Sequence, residues 1–248
     1  MIDAFPEPLL KALRGARRIA VLTGAGISAE SGIPTFRDAQ TGLWAKYRPE
    51  ELATPEAFER NPKLVWEWYE RRRALVRGAH PNPGHAALAR MQDRVAEFTL
   101  ATQNVDGLHA RAGSRCVIEL HGNILRSKCF AEGTPFESWP KSDSVPPRCP
   151  DCGAWLRPDV VWFGEMLPPG ALESATGAAG RCEVFFSIGT SALVQPAAQL
   201  PIMALDAGAT VVEINRDSTP LSSLASFSLH GAAGEILPRL VEVVWPAP

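Results

Sequence analysis

The chain has 248 residues, of which 46% are hydrophobic and 21% charged, with a formal net charge of -2. That is enough to bury one sizeable core, or a core plus a small insert, and it gives no global electrostatic reason to expect nucleic acid or an anionic membrane as the main partner. Five cysteines, an odd number, speak against a disulfide framework, and no apolar run approaches the roughly 18 residues of a membrane helix.

The first ten residues carry Asp3, Glu7 and two prolines, where a signal peptide needs a positive start and an apolar run, so a cytoplasmic protein is expected. Arg18–Thr23, Glu97–Thr102, Cys116–Leu120, Glu183–Ile188 and Ala209–Ile214 are strand-length apolar runs. They are too continuous for one-sided burial and predict central parallel strands. Helical spacing between them, as in Ala86–Met91 and Pro196–Leu205, makes a doubly wound α/β sheet the economical solution. Two stretches interrupt the alternation. Residues 39–80 hold Trp44, Trp66, Trp68 and Tyr69, and residues 126–158 hold three cysteines among prolines; both read as inserts packed beside the sheet.

Ligands of such sheets bind beyond the carboxyl ends of the strands. Gly24, Ala25 and Gly26, with Ser28 and Ala29 following, fit the G-x-G-x-x-A form of a dinucleotide turn between strand and helix. The acidic residue of an ordinary dehydrogenase fingerprint is absent, so phosphate binding and a purely structural turn both stand. Asn104 and Asp106 follow a strand end, where they either face the crevice or simply form a turn. His121 ends another apolar run. Tyr69 and Arg72, three apart, share a helix face and together suit a carboxylate, although Arg71, Arg72 and Arg73 also fit a solvated basic face. Cys116 and Cys182 lie in apolar runs and read as small buried hydrophobes.

Six blocks in fixed order make the resemblance specific. They are Gly24–Ser28 with Ser31–Arg37, Thr102–His109, Glu119–Gly122, Arg157–Glu165, Ser187–Ser191 and Glu213–Asn215. From about residue 17 to 237 the chain closely resembles the sirtuin family. The resemblance implies a Rossmann-type domain (1–38, 81–125 and 159–248) and a small domain built from a helical module (39–80) and a zinc-type module (126–158). It implies NAD-dependent removal of acyl groups from lysine side chains of proteins, releasing nicotinamide and O-acyl-ADP-ribose. A neutral base must take a proton from a ribose hydroxyl in that chemistry, a task that suits histidine, and the match gives it to His121.

By the same resemblance Asn104 contacts the nicotinamide ribose and an ordered water, while Asp106 and Ile33 hold the carboxamide. Ser28, Phe36 and Arg37 belong to the loop closing over NAD. Gln103, Thr190, Gly189, Ser191 and Asn215 complete the cofactor side. Val161, Phe163, Gly164 and Glu165 match the strand that pairs with the substrate backbone. Tyr-x-x-Arg at Tyr69 and Arg72, with the small Ala53 widening the pocket, resembles the subgroup acting on succinyl-, malonyl- and glutaryl-lysine. Cys129, Cys149 and Cys152 match three of four zinc ligands; Glu132 stands where the fourth is expected, or that ligand is missing. Protein ADP-ribosyl transfer and a non-catalytic nucleotide-sensing module are the rival readings. A monomer with acyl-lysine proteins as partners, and neither a specific nucleic acid nor a membrane, completes the expectation.

Overall fold

The computed structural model describes residues 4–35, 49–139 and 144–246. In chain order it runs through helix α1 (Glu7–Gly15), strand β1 (Arg18–Thr23), a 3-10 stretch (Ala25–Ser31), helices α2 (Pro49–Leu52), α3 (Pro55–Arg60), α4 (Pro62–Gly78) and α5 (Pro83–Gln92), and strand β2 (Glu97–Thr102). Next come α6 (Leu108–Arg111), β3 (Ile118–Glu119), β4 (Gly122–Cys129), β5 (Pro135–Phe136) and β6 (Leu156–Val160). The chain closes with α7 (Pro169–Ala179), β7 (Val184–Ile188), a short 3-10 turn (Ala197–Gln199), α8 (Leu200–Asp206), β8 (Thr210–Asn215), β9 (Phe227–His230) and α9 (Ala233–Val244).

Six strands form one sheet in the order β3-β2-β1-β7-β8-β9, with every neighbouring pair parallel. Leu9 and Leu13 of α1, Leu88 and Met91 of α5 and Leu237 and Leu240 of α9 cover one face, against Val21, Phe186 and Ile214. Ala178 and Ala179 of α7 with Leu200 and Ala204 of α8 cover the other, against Leu22, Phe185 and Val211. Burial on both faces is the reason these strands read as unbroken apolar runs. The order reverses between β1 and β7, which makes their carboxyl ends the crevice of the fold.

The run at Cys116–Leu120 is a correction to the expected central strand. Only Ile118 and Glu119 pair, at the sheet's edge. Cys116 sits at φ 52 and is exposed, so a left-handed turn precedes the strand and its thiol is not a core group; Cys182 is buried as expected.

A second sheet, β5-β4-β6, is antiparallel. The expected boundaries at 125 and 158 both fall inside its strands β4 and β6. Phe58 of α3 and Val65, Trp68 and Tyr69 of α4 pack on Ile124, Val160 and Trp162. Helix α4 begins cleanly because Asn61 accepts from the Leu64 N–H and Pro62 occupies the first turn. Arg73, fully buried, ties it to β4 through the carbonyls of Ile124 and Arg126 and the Ser127 hydroxyl, with its guanidinium over Trp66 and Trp139. The Arg71–Arg73 run is therefore no uniform solvated face. Among the described residues no helix is long and apolar enough to cross a membrane.

Candidate active site

The crevice is built by two glycine turns in contact. Gly24 donates to the Ile188 carbonyl at 2.9 Å and Gly26 to the Gly189 carbonyl at 2.8 Å, while Gly189 donates to Ile214 at 2.9 Å. A Cβ on Gly26 would lie 2.7 Å from Gly189 Cα, and one on Gly189 would lie 2.4 Å from the Ile27 nitrogen. The glycines thus let β1 and β7 bring their loops together at the switch point. The helix expected after Gly24 is a 3-10 stretch. Ala25 opens that stretch, and Ile33, just beyond it, packs against the aromatic cluster around Tyr69.

Behind this turn lies a buried polar hub on Ser28, which is 1% exposed. Its hydroxyl donates to Asp106 Oδ2 at 2.8 Å and accepts from Asn104 Nδ2 at 3.1 Å. His85 Nε2 approaches it at 3.4 Å. Because His85 Nδ1 accepts from the Asn82 N–H, its proton sits on Nε2, facing the serine. Asp106 also accepts from the Leu108 N–H at 2.8 Å. Burial nonetheless raises its pKa above the usual carboxylate range. Burial also holds both neighbouring imidazoles neutral, His85 near about 4 and His109 near about 3.

His121 stands two residues past the end of β3, and the turn there is sharp. Gly122 has φ +78, and a Cβ on it would fall 2.2 Å from the Asp159 carbonyl. The ring is oriented by Nδ1, 2.9 Å from the Gln103 carbonyl. A carbonyl only accepts, so Nδ1 carries the proton and Nε2 keeps a lone pair. Burial lowers the pKa of this histidine, which keeps it neutral. Gln103 links onward, its side chain donating to Thr190 Oγ1 at 2.9 Å, and Asn215 donates to the Thr190 carbonyl at 2.9 Å. Ser191 follows in the same loop. Gln103, Thr190 and Asn215 are therefore joined across three strand ends, whereas Phe36, Arg37 and Trp44 lie outside the described residues.

The main chain carries His121 to the second half of the site, since Val161 donates to the His121 carbonyl at 2.9 Å. Residues 161–165 are not the strand expected of them. β6 stops at Val160, and a turn follows with Gly164 at φ +86. The Phe163 N–H is given to the Ala53 carbonyl at 2.9 Å, and the Glu165 carboxylate is engaged by Arg157 and the Trp162 N–H. The Phe163 ring is half exposed. Ala53 and Tyr69 are buried together in one cluster. Burial pushes the Tyr69 phenol up to about 12, against the nearby positive charge of Arg72. Burial also lowers the pKa of Arg72, whose guanidinium is 5.1 Å from the centre of the Trp68 ring. A neutral donor and a partly desolvated cation on one helix face suit a carboxylate-bearing guest.

The sequence pattern of the Sir2 family matches residues 24–196. NAD-dependent protein deacylase 1 of Pseudomonas aeruginosa is 49% identical over 246 residues, covering 96% of this chain and 98% of that protein. A crystal structure of a Sir2 homologue in complex with NAD superposes with TM-score 0.91 at 49% identity, covering 97% of this chain and 94% of that one. Sir2 bound to acetylated peptide superposes with TM-score 0.86 at 31% identity, covering 98% of this chain and all of that one (100%). The chain belongs to the Sir2 family.

In this Sir2 protein the thiols of Cys129, Cys149 and Cys152 lie within 4.8 Å of one another, and the Glu132 carboxylate is not part of the group. Two matching turns carry them. Gly133 donates to the Cys129 carbonyl and Gly153 to the Cys149 carbonyl, both glycines having positive φ, so Glu132 occupies in the first turn the place of Cys152 in the second. Three convergent thiols fit a soft divalent ion such as zinc.

Sequence reasoning missed several residues of the Sir2 site. His85 was legible only as the third helical residue after Asn82, in a Pro-Gly-His stretch that forms a capping box. His109 ends the Thr102–His109 block, where no pattern gives it a role; its Nε2 meets Thr23 Oγ1 at 2.9 Å, and Thr23 donates to Thr102. Arg157 and Trp162 lie in the Arg157–Glu165 block, but no local pattern gives them a role, because those roles depend on contacts with Glu165 and Tyr69.

Proposed function

We propose that this Sir2 protein is an NAD-dependent protein deacylase that acts on acyl-lysine side chains of proteins. The observation that carries the reading is His121. It is held neutral, with its Nε2 lone pair unspent, at the mouth of a crevice where glycine turns and a buried Ser28–Asn104–Asp106 hub fit a dinucleotide. NAD, when bound, supplies a glycosidic carbon that becomes electrophilic as nicotinamide leaves. His121 Nε2 then takes a proton from a ribose hydroxyl, while Gln103 stabilises the imidazolium through its carbonyl. Asn104, Asp106 and Ile33 hold the nicotinamide end. Gly24, Ala25, Gly26 and Ser28 serve the sugar and phosphates, a role the family resemblance also gives to Phe36 and Arg37, and Gln103, Gly189, Thr190, Ser191 and Asn215 take the adenosine side. Val161, Phe163, Gly164 and Glu165 shape the substrate channel, in which the Phe163 ring shields the lysine stem from water.

The acyl end lies against Ala53, Tyr69 and Arg72, and we assign the enzyme to succinyl- and malonyl-lysine, with acetyl-lysine entering the same channel. The parallel sheet and its covering helices form the NAD-binding domain, and the antiparallel sheet with α2–α4 the small domain, joined through β4 and β6. Cys129, Cys149 and Cys152 hold a structural zinc there. The protein acts as a cytoplasmic monomer.

Mass spectrometry after incubation with NAD and acyl-peptides tests the activity. Free lysine peptide, nicotinamide and O-acyl-ADP-ribose in equal amounts are expected. A heavier protein indicates ADP-ribosyl transfer, and no nicotinamide release indicates a sensing module; either contradicts the reading. For the acyl class, Arg72→Met should lower kcat/KM for succinyl-lysine about 10- to 150-fold more than for acetyl-lysine, the worth of one charge-assisted hydrogen bond. Equal losses on both contradict it.

A further inference from the structure

Trp162 is 2% exposed, and its ring packs against Phe58, 5.4 Å away between centroids, with the Arg157 guanidinium over it, 3.3 Å from the ring centre. The Glu165 carboxylate fixes both the Trp162 backbone and the Arg157 guanidinium. It accepts the Trp162 main-chain N–H at 2.8 Å and clamps Arg157 with two hydrogen bonds. Arg157 is held again by the Val160 carbonyl at 2.9 Å. The indole is thereby locked in one orientation, and its Nε1–H is delivered to Tyr69 Oη at 2.9 Å.

An indole nitrogen only donates, whereas a phenol oxygen both donates and accepts. With one lone pair of Tyr69 taken by Trp162, the hydroxyl proton must point away from the indole, and Tyr69 meets a guest as a donor. The cation over the indole face polarises the ring and strengthens its N–H as a donor. Tyr69 keeps its proton throughout the working pH range, since burial pushes it up to about 12.

We infer that Trp162 is a specificity-determining positioning residue, whose N–H commits Tyr69 to donating toward acyl chains that end in a hydrogen-bond acceptor, carboxylates above all. This rests on the reading that Tyr69 and Arg72 receive the acyl end. Glu165 and Arg157 then serve the acyl pocket indirectly, by holding the indole still. Without the indole N–H, the hydroxyl proton is no longer preset, and a carboxylate guest must turn it on binding.

The test replaces Trp162 with β-(3-benzothienyl)alanine, which keeps the ring shape but carries sulfur in place of the N–H; Trp162→Phe is the genetic counterpart. Succinyl-lysine and butyryl-lysine peptides are compared, the second having a methyl where the first has its carboxylate. The ratio of kcat/KM values, succinyl over butyryl, should fall about tenfold, carried by KM for the succinyl peptide rather than by kcat. An unchanged ratio, or equal losses on both peptides, overturns the inference. Arg72→Met in the same assay separates the two levels. If it lowers the ratio while the sulfur isostere does not, only the role of Trp162 fails; if it too leaves the ratio unchanged, the carboxylate pocket itself is refuted.

Discussion

His121 Nδ1 lies 2.9 Å from the carbonyl oxygen of Gln103. That contact decides the tautomer, and with it which nitrogen is available as a base. Burial lowers the pKa of the ring, so the neutral form persists below the usual histidine value of about 6.5. The acid limb of kcat/KM should therefore fall below pH 6.5, as a pH–rate profile with a saturating second substrate would show. A limb at or above about pH 7 contradicts the assignment.

Close packing of the two glycine turns leaves no room for a side chain at Gly189. Gly189→Ala combines φ +60 with a Cβ 2.4 Å from the Ile27 nitrogen, and should cost roughly 3 kcal/mol or more. Gly208→Ala is the control, with φ +84 but open space around it, and should cost only about 1 kcal/mol. Chemical denaturation measures both. Similar costs would mean that the turns give way easily.

His109 couples stability to pH. Its folded pKa, about 3, lies below the unfolded value of about 6.5. Below about pH 6.5 the unfolded chain binds the extra proton, so stability falls on acidification until the folded pKa is reached. Between pH 6 and 4.5 the wild type should lose stability more steeply than His109→Asn by about one proton, or ~1.4 kcal/mol per pH unit. Equal slopes would show that the ring is already charged or exposed in the native state.

The three thiols within 4.8 Å should retain zinc at about a 1:1 ratio in protein purified without added metal. A chelator should then lower Tm, and Cys152→Ser should lower the metal content. Elemental analysis showing no metal, with Tm indifferent to chelator, would leave the module held by packing alone around Trp66, Leu156 and Trp139.

How much was legible in the sequence follows the physics of each element. β1 was readable to the residue, because a strand buried on both faces cannot carry polar alternation, and β2, buried over its last three residues, has the expected bounds too. That Tyr69 and Arg72 share a face of α4 was readable from helical spacing, but their part in an acyl pocket was legible only through the family resemblance. β3 was misjudged because an edge strand beginning after a left-handed Cys116 has the same composition as a central one. The turn at 161–165 is not legible as such, because Val161, Trp162 and Phe163 have strand composition and nothing local marks Gly164 for its φ of +86. The roles of His85 and Trp162 stayed hidden because each acts through a partner far away in sequence, and that of Arg157 because its clamp on Glu165 forms only where the chain turns after β6. The Trp162–Tyr69 hydrogen bond spans 93 positions, and no local pattern encodes such a contact.

The most direct test of the account uses His121→Ala with bound NAD verified, measuring exchange of labelled nicotinamide and release of free lysine side by side. Cleavage at the glycosidic bond needs no base from this ring, whereas deprotonation of the ribose hydroxyl does. Lysine release should fall about 10²- to 10⁴-fold more than exchange, the range for loss of a positioned general base. Lysine release retained within about tenfold of the wild type, at unchanged stability, would take His121 out of the chemistry and the account with it.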